Sequence, residues 1–471
     1  MDKGLFLIGL YLLFSFFSIG ISSKFKIPVL LLFLLLGILS GSEGLGGLYF
    51  DDNNLTYFIS TLALSVILFT GALETKVSTI KSVLVPSASL ATFGIVITTF
   101  LTGITAKLFL DFSYPEAFLF GAAVSSTDAA SVFSTLKSTK VKIDTKVRSI
   151  LEVESGSNDP MAYGLIVLFA SLIKSQNISG AGIFVSIFSF FVQVVIGALS
   201  GFLIGFIISF GLKKYKVKSL EAVVILLLST LFLSFSITDK LGGNGFLAIY
   251  ITGLVISNTT FELKKTATHF FGVFSWIMQI IMFIVLGLLV FPSNLKDIWV
   301  AGIIISLIMI FVIRPAAVFL SMIFIKKKAN EKLFISWAGL KGAVPIAFAV
   351  YIVMQKIPKS DTIFNLVFFV VIFSVLIQGV FLEKMALIFH VEDKTVHKKS
   401  RVSFEELETF EEIIRKIIVD VDLEGKELME TNLSKSYLVV GIKRKEEYII
   451  PTANTILNLD DELLLMRKNG N

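Results

Sequence analysis

The sequence predicts an α-helical polytopic membrane protein of about thirteen transmembrane spans, followed by a small soluble α/β domain. Three observations lead to that class. Hydrophobic residues fill 55% of the 471 positions and the mean hydropathy is +0.85, far too apolar for an ordinary soluble enzyme. Apolar stretches of about twenty residues, each long enough for a bilayer core, recur from the N-terminus to roughly residue 390. The loops between them alternate in charge along the whole series.

Taken in order, the spans fall at 4–22, 27–42, 57–74, 83–110, 114–137, 147–174, 181–212, 219–238, 243–259, 268–291, 297–325, 332–356 and 361–389. Several exceed what a core of about 30 Å requires, so they tilt, bend or protrude. Leu5–Ile21 is too long for the apolar core of a cleavable signal and lacks a basic start, so it reads as the first span. Every second loop is basic: Lys24 with Lys26, Lys76 with Lys81, Lys137 to Arg148, Lys213 to Lys218, Lys264 with Lys265, and Lys326 to Lys328. The loops between carry Glu43, Asp51, Asp52, Asp111, Glu116, Asp239 and Asp297. The positive-inside rule then puts the N-terminus outside and the C-terminus in the cytoplasm.

The net charge of +6 is thus a topology signal, and no nucleic-acid partner is expected. The chain has no cysteine, which excludes disulfides, thiolate metal sites and cysteine nucleophiles. Its three histidines, His269, His390 and His397, are too scattered for a metal cluster. No cofactor and no enzymatic activity are expected. An odd span count adds one consequence. If spans 1–6 and 8–13 are repeats, they enter the membrane from opposite sides, which is the inverted-repeat plan of many secondary transporters.

Charged residues inside spans mark where chemistry is expected. Asp128 sits in Ser125-Ser126-Thr127-Asp128 of span 5, and Glu154, Asn158 and Asp159 sit in span 6 ahead of Pro160. At about 1.5 Å per residue, Asp128 and Asp159 lie roughly 18–20 Å from opposite span ends, so they reach a similar depth. A charge there costs about 2.5–3.5 kcal/mol even on the lenient insertion scale, so it faces a cavity or a partner. A purely structural pair that locks helices is the alternative, and it is strongest for Glu154. Ser155 and Asp159 are four apart on one helix face and can offer a hydroxyl and a carboxylate to one monovalent cation. Pro160 removes one backbone hydrogen bond, and Ser125 to Thr127 are poor helix formers, so span 5 is expected to unwind.

Span 12 repeats the theme with Gly339-Leu340-Lys341-Gly342-Ala343-Val344-Pro345. If spans 5 and 12 are both broken and cross, Asp128 compensates the positive half-helix ends and Lys341 the negative ones. Snorkelling is the alternative for Lys341, although about nine residues from the span start is deep for that. Arg314, deep in span 11, is expected to pair with an acidic group such as Glu154.

These segments resemble the signature segments of the monovalent cation:proton antiporter superfamily. The run Glu154-Ser155-Gly156-Ser157-Asn158-Asp159-Pro160 points to its sodium/proton exchanger branch, and the resemblance covers nearly all of residues 1–390. It implies a homodimer in a bacterial plasma membrane, with a mobile core carrying the site between two water-filled funnels. It also implies that Asp159 binds cation and proton alternately, with Ser155, Asp128 and the Thr127 backbone near the ion. Glu154 would pair with the span-12 cation, where the family usually has Arg and this chain has Lys341, a point charge with a titratable proton. Because Asn158 does not titrate, one carboxylate handles one cation or one proton per cycle, which predicts electroneutral 1:1 exchange. A ligand-gated cation channel and a cation-coupled solute symporter are the competing readings. The first needs a continuous pore, and the second a polar cluster for an organic substrate that the spans lack.

After Phe389 the composition changes. Residues 391–403 read as a linker and 404–471 as a soluble module. Strands are expected at 413–421, 436–443, 448–450 and 462–467, a short helix at 425–432, and a turn at 445–447. The pattern of Gly425-Lys426, Gly441-Ile442-Lys443-Arg444, Ile449-Ile450-Pro451 and Leu459-Asp460-Asp461-Glu462-Leu463 resembles the C-terminal lobe of RCK (TrkA-C) regulatory domains. That resemblance implies dimeric packing and an interfacial cleft for a nucleotide or cyclic dinucleotide. It also favours K⁺ over Na⁺ as the cargo, since such domains accompany potassium transport.

Overall fold

A helix occupies each of the predicted span positions, and the helix starts show why the breaks fall where they do. The computed structural model describes residues 2–25, 28–75, 77–137, 141–175, 180–215, 217–393, 414–419, 423–431, 437–444, 447–449 and 451–467. The chain divides into two units, Met1–Asp393 and Lys394–Asn471.

The first unit opens with α1 (Asp2–Phe25), α2 (Val29–Ser40) and α3 (Asn53–Glu74). Asp52 starts α3 by accepting the Leu55 N–H at 2.9 Å. Span 4 is α4 (Val77–Ser89), a π-helical turn at Leu90–Gly94, and α5 (Ile95–Phe109). Span 5 is interrupted: α6 (Tyr114–Ala123) begins with a Ser113–Glu116 capping box, and α7 (Ala129–Lys137) follows after a non-helical stretch. Next come α8 (Thr145–Ser175), α9 (Gly180–Tyr215), α10 (Leu220–Lys240), α11 (Gly245–Ser257) and α12 (Lys264–Leu288). Ser219 and Asn244 cap α10 and α11 by accepting N–H groups of their first turns. Span 11 is α13 (Trp299–Ile308), a π-helical turn at Met309–Ile313, and α14 (Arg314–Ser321). Span 12 is broken into α15 (Ala329–Trp337) and α16 (Val344–Met354). Span 13 is α17 (Ser360–Phe373), a π-helical segment at Ser374–Gly379, and α18 (Leu382–Ile388).

Among the described residues, seven helices are long and apolar enough to cross a membrane, with shorter apolar helices beside them. Two packing groups form. One joins α2 and α3 to α9, α10, α11 and α12; the other joins α4–α8 to α13–α18. Phe33, Phe69, Phe120, Phe283 and Phe368 are among the fully buried side chains. By contrast, α9 carries exposed Phe184, Phe188, Phe191, Phe202 and Phe206, the pattern of a helix that faces lipid.

Two expectations change here. Residues 391–393 do not open the linker: Asp144 N–H donates to Val391 O, and Asp393 N–H to Lys142 O, so this stretch belongs to the helical unit. Residues 394–403 lie outside the described residues. In the tail, the short helix expected at 425–432 is a three-residue 3-10 turn at Leu428–Glu430. The Leu428 and Met429 N–H groups bond to Thr455 O and Ala453 O, so they cannot continue a helical ladder. Asn432 lies outside the described residues, as do the ends of three expected strands and residues 445–446 of the expected turn.

The tail holds an antiparallel sheet of β1 (Ile414–Ile418), β2 (Tyr437–Arg444), β3 (Glu447–Ile449) and β4 (Glu462–Arg467), in the order β1-β4-β2-β3. Its core is Val419, Leu428, Ile442, Leu457, Leu463 and Leu465. Arg444 grips the buried Asp461 carboxylate with two hydrogen bonds, at 2.9 and 2.7 Å, and a third Arg444 N–H reaches Ile456 O. Asp461 therefore titrates below the usual carboxylate range, with the Arg444 hydrogen bonds as the largest cause. This pair stabilises the tail above the unfolded Asp value of about 3.9, and the contribution is lost as pH falls through the lower folded value. Asp461→Asn is expected to cost the sheet about 1–3 kcal/mol at pH 7, with the difference from wild type vanishing in acid. Hydrogen exchange of β2 and β4 in the full chain reads this directly.

Candidate functional site

Helix breaks inside a membrane expose backbone groups that need partners, and spans 5 and 12 supply them to each other. After Ala123, the Ser125 hydroxyl bonds back to Ala122 O, and residues 126–128 are not helical. The Asp128 N–H donates to Leu340 O at 2.8 Å, so the two breaks meet directly. Asp128 also caps α7: one carboxylate oxygen accepts the Ser131 N–H at 3.0 Å and the other its hydroxyl at 2.5 Å. The same carboxylate lies against Gly342, where a Cβ would sit 1.9 Å from Asp128 Oδ2, just ahead of α16. One anion thus stands at the positive ends of both α7 and α16.

Lys341 serves the opposite pole. Its ammonium donates to Ser125 O at 3.0 Å and Ser126 O at 2.8 Å, the carbonyls just past the end of α6. The end of α15 is satisfied from span 13, where Gln378 donates to Trp337 O at 2.9 Å and accepts the Trp337 indole N–H on its own carbonyl. Ser374 completes the link by accepting the Lys341 N–H and donating to Gln378 Oε1 at 2.6 Å. Ser374 and Gln378 were missed in the sequence reading. A polar pair four residues apart beside Gly379 in an otherwise apolar span was the available signal, and the π-helical segment on which they sit is a common companion of functional sites.

α8 lines the break with its polar face. The Ser155 hydroxyl donates to Thr127 O at 2.9 Å and accepts the Ala129 N–H at 3.1 Å. Asn158 donates to the Thr127 hydroxyl at 2.6 Å. Glu154 pairs with Arg314 at 2.6 Å, and both side chains are at most 2% exposed. The implied pairing of Glu154 with Lys341 is not made, because the ammonium is taken up by the two carbonyls. Arg314 reaches Glu154 by lying over Gly339, where a Cβ would come within 2.4 Å of its Nε. A second unforeseen residue is Asn244, whose side-chain amide donates to Pro160 O at 2.7 Å and anchors α8 just beyond Asp159.

Asp159 differs from the other buried charges. It is 4% exposed, yet it makes no ion pair among the described residues, and its Oδ1 accepts no hydrogen bond. Asn158 Oδ1 and Ser126 Oγ nearby are likewise buried without partners. Asp128 and Lys341 are the charges that act on Asp159, and the Ser126 hydroxyl faces it. The structure therefore brings Thr127, Asp128, Ser155, Asn158, Asp159 and Lys341 to one place, with Glu154 and Arg314 paired beside it. Hard oxygen donors of this kind suit alkali cations and protons. No cluster of His, Cys, Asp and Glu among the described residues forms a conventional metal site.

Comparison with known proteins identifies relatives in sequence and in fold. The family described as "Sodium/hydrogen exchanger, transmembrane" matches residues 11–387, and the TrkA-C domain matches residues 414–469. The K(+)/H(+) antiporter NhaP2 of Shewanella sp. (strain MR-4) is 36% identical over 473 residues, covering 96% of this chain and 81% of that protein. The K(+)/H(+) antiporter NhaP of Alkalimonas amylolytica is 32% identical over 468 residues, covering 98% and 80% respectively. In fold, the chain resembles the sodium proton antiporter MjNhaP1 from Methanocaldococcus jannaschii. The TM-score is 0.70 at 24% identity, over 82% of this chain and 98% of that one.

The contact between Asp128 and Gly342 gives a sharp test of the crossing. Gly342→Ala forces the carboxylate off the start of α16 and is expected to destabilise the protein by about 1–3 kcal/mol. Gly71→Ala, with nothing within 4 Å of the added methyl, is the matched control and is expected to change little. Thermal unfolding in detergent compares the two.

Proposed function

The chain belongs to the sodium/hydrogen exchanger family, and from that premise we propose that it exchanges K⁺ for H⁺ across a membrane, with Asp159 as the shared binding group. One observation carries the reading. Around the crossing, Asp128 is held by helix N-termini, Lys341 by carbonyls and Glu154 by Arg314, which leaves Asp159, among the described residues there, as a buried charge without an ion-pair partner. An uncompensated carboxylate at this depth is costly, so it is stable only when protonated or bound to a cation. Both of those states are neutral and can move across the barrier; the bare carboxylate cannot do so cheaply. Competition between the two ligands for one group couples their fluxes.

Asn158 carries no charge, so each passage moves one cation or one proton, and exchange is electroneutral 1:1. Ser155, Thr127 and Ser126 supply further oxygens near the ion, and Asp128 and Lys341 hold the broken helices that shape the site. The two bacterial K(+)/H(+) antiporters it resembles favour K⁺, and Na⁺ is the competing cargo. In this reading the two broken spans, seven apart, belong to inverted repeats, and thirteen spans put the N-terminus outside and the tail in the cytoplasm of a bacterium. The protein works as a homodimer. Its 404–471 module, supported by the TrkA-C match, regulates exchange through a nucleotide or cyclic dinucleotide.

Reconstituted vesicles with an internal pH dye, challenged separately with K⁺ and Na⁺ at clamped potential, test the reading. Saturable proton movement driven by K⁺ is expected, and Asp159→Asn is expected to lower it at least a hundredfold while the protein stays monodisperse. Exchange retained by Asp159→Asn, or current without proton movement, contradicts the assignment.

A further inference from the structure

Beyond the crossing, the path from Asp159 is unlike in its two directions. Towards the start of α8, on the side of the basic loops, Glu152, Ser155, Gly156 and Ser157 are all partly exposed. Towards its end, Asn158 to Pro160 are buried, and one turn beyond Asp159 the chain presents Tyr163. The Tyr163 ring lies 5.5 Å from that of Tyr351 on α16, and Tyr351 lies 5.6 Å from Tyr57 on α3. The three rings thus form a chain from α3 through α16 to α8. All three side chains are half-buried.

Two further features point to cation traffic at this place. A small cavity, room for about one water molecule, lies among Tyr57, Tyr163, Tyr351, Ala347 and Ser60. Ser60 is 1% exposed, and its hydroxyl has no hydrogen-bond partner. The exposed Asp239 at the end of α10 acts electrostatically on all three phenols, with Lys240 as its chain neighbour. The three tyrosines also come from both packing groups. α3 packs on α11 and α12 and also meets α16, while α8 and α16 carry the site, so the rings sit where the two groups touch.

We propose that Tyr57, Tyr163 and Tyr351 form the gate on the acidic-loop side of the exchange path, and that their hydroxyls are a transient site for a partly dehydrated alkali cation passing to or from Asp159. The ligand chemistry fits transit. Neutral hydroxyl oxygens replace part of the hydration shell and hold an ion too weakly to trap it. Phenol faces add cation–π attraction, and Asp239 concentrates cations at the mouth. Closed, the packed rings exclude water from Asp159, which keeps the two sides from being open together. The identity of the passing ion rests on the antiport reading above; the closure itself does not.

The absence of cysteine makes the chain its own background for a labelling test. Ser60→Cys reports on the cavity behind the rings, with a membrane-impermeant methanethiosulfonate applied to either face of oriented vesicles. Slow labelling from the acidic-loop face is expected with the tyrosines intact. Adding Tyr351→Ala is expected to speed it at least tenfold from that face and to leave the other face unchanged. Tyr57→Ala is the second variant should Tyr351→Ala fail to fold. The same acceleration is expected with Asp159→Asn added, so the gate is read without transport. The triple change of Tyr57, Tyr163 and Tyr351 to Phe keeps the rings: labelling stays slow, while the KM for K⁺ presented to the acidic-loop face rises at least threefold and that for the other face stays within about twofold. Labelling indifferent to both alanine variants overturns the gate, and an unchanged KM in the triple variant overturns the transit site. If Asp159→Asn retains exchange, the antiport site fails while the labelling result stands by itself.

Discussion

The rest of the structure depends on the meeting of two unwound segments. Each broken span leaves N–H groups at the start of one half-helix and carbonyls at the end of the other, and lipid can satisfy neither. Asp128 answers the first pole and Lys341 the second, while the backbone bond from Asp128 N–H to Leu340 O ties the breaks together. Gly342 is required because any side chain there would occupy the Asp128 carboxylate. Remove either charge and the half-helix ends lose their partner, and with it the geometry that keeps Thr127 against Ser155 and Asn158.

This arrangement also explains the use of two different cations. Lys341 has three donors on a compact ammonium, which suits two convergent carbonyls. Arg314 has a planar fork and reaches Glu154 across Gly339 from the start of α14. With both cations engaged elsewhere, neither forms an ion pair with Asp159. Had Lys341 turned to Asp159 as an ion pair, a cation would have to displace it before binding.

Much of the fold was legible because membrane spans announce themselves through length and hydropathy, and breaks through Ser125-Ser126-Thr127-Asp128 and Gly339 to Pro345. The site was legible for a related reason: Asp128, Glu154, Asp159, Arg314 and Lys341 stand out in apolar surroundings. What sequence could not supply was partnership. Whether Glu154 meets Lys341 or Arg314 depends on how spans 6, 11 and 12 stack, which no local pattern encodes. The π-helical segments in spans 4, 11 and 13 leave no hydropathy trace, so the Ser374–Gln378 bridge stayed hidden. In the tail, propensity suggested a helix at 425–432, but distant carbonyls of Ala453 and Thr455 claimed its N–H groups.

The central claim is that one carboxylate is contested by one cation and one proton. Proton release on K⁺ addition to purified protein in weak buffer measures that contest directly. The account predicts about one proton released per K⁺ bound, and none from Asp159→Asn. Cation binding without proton release, or undiminished release from Asp159→Asn, would contradict it.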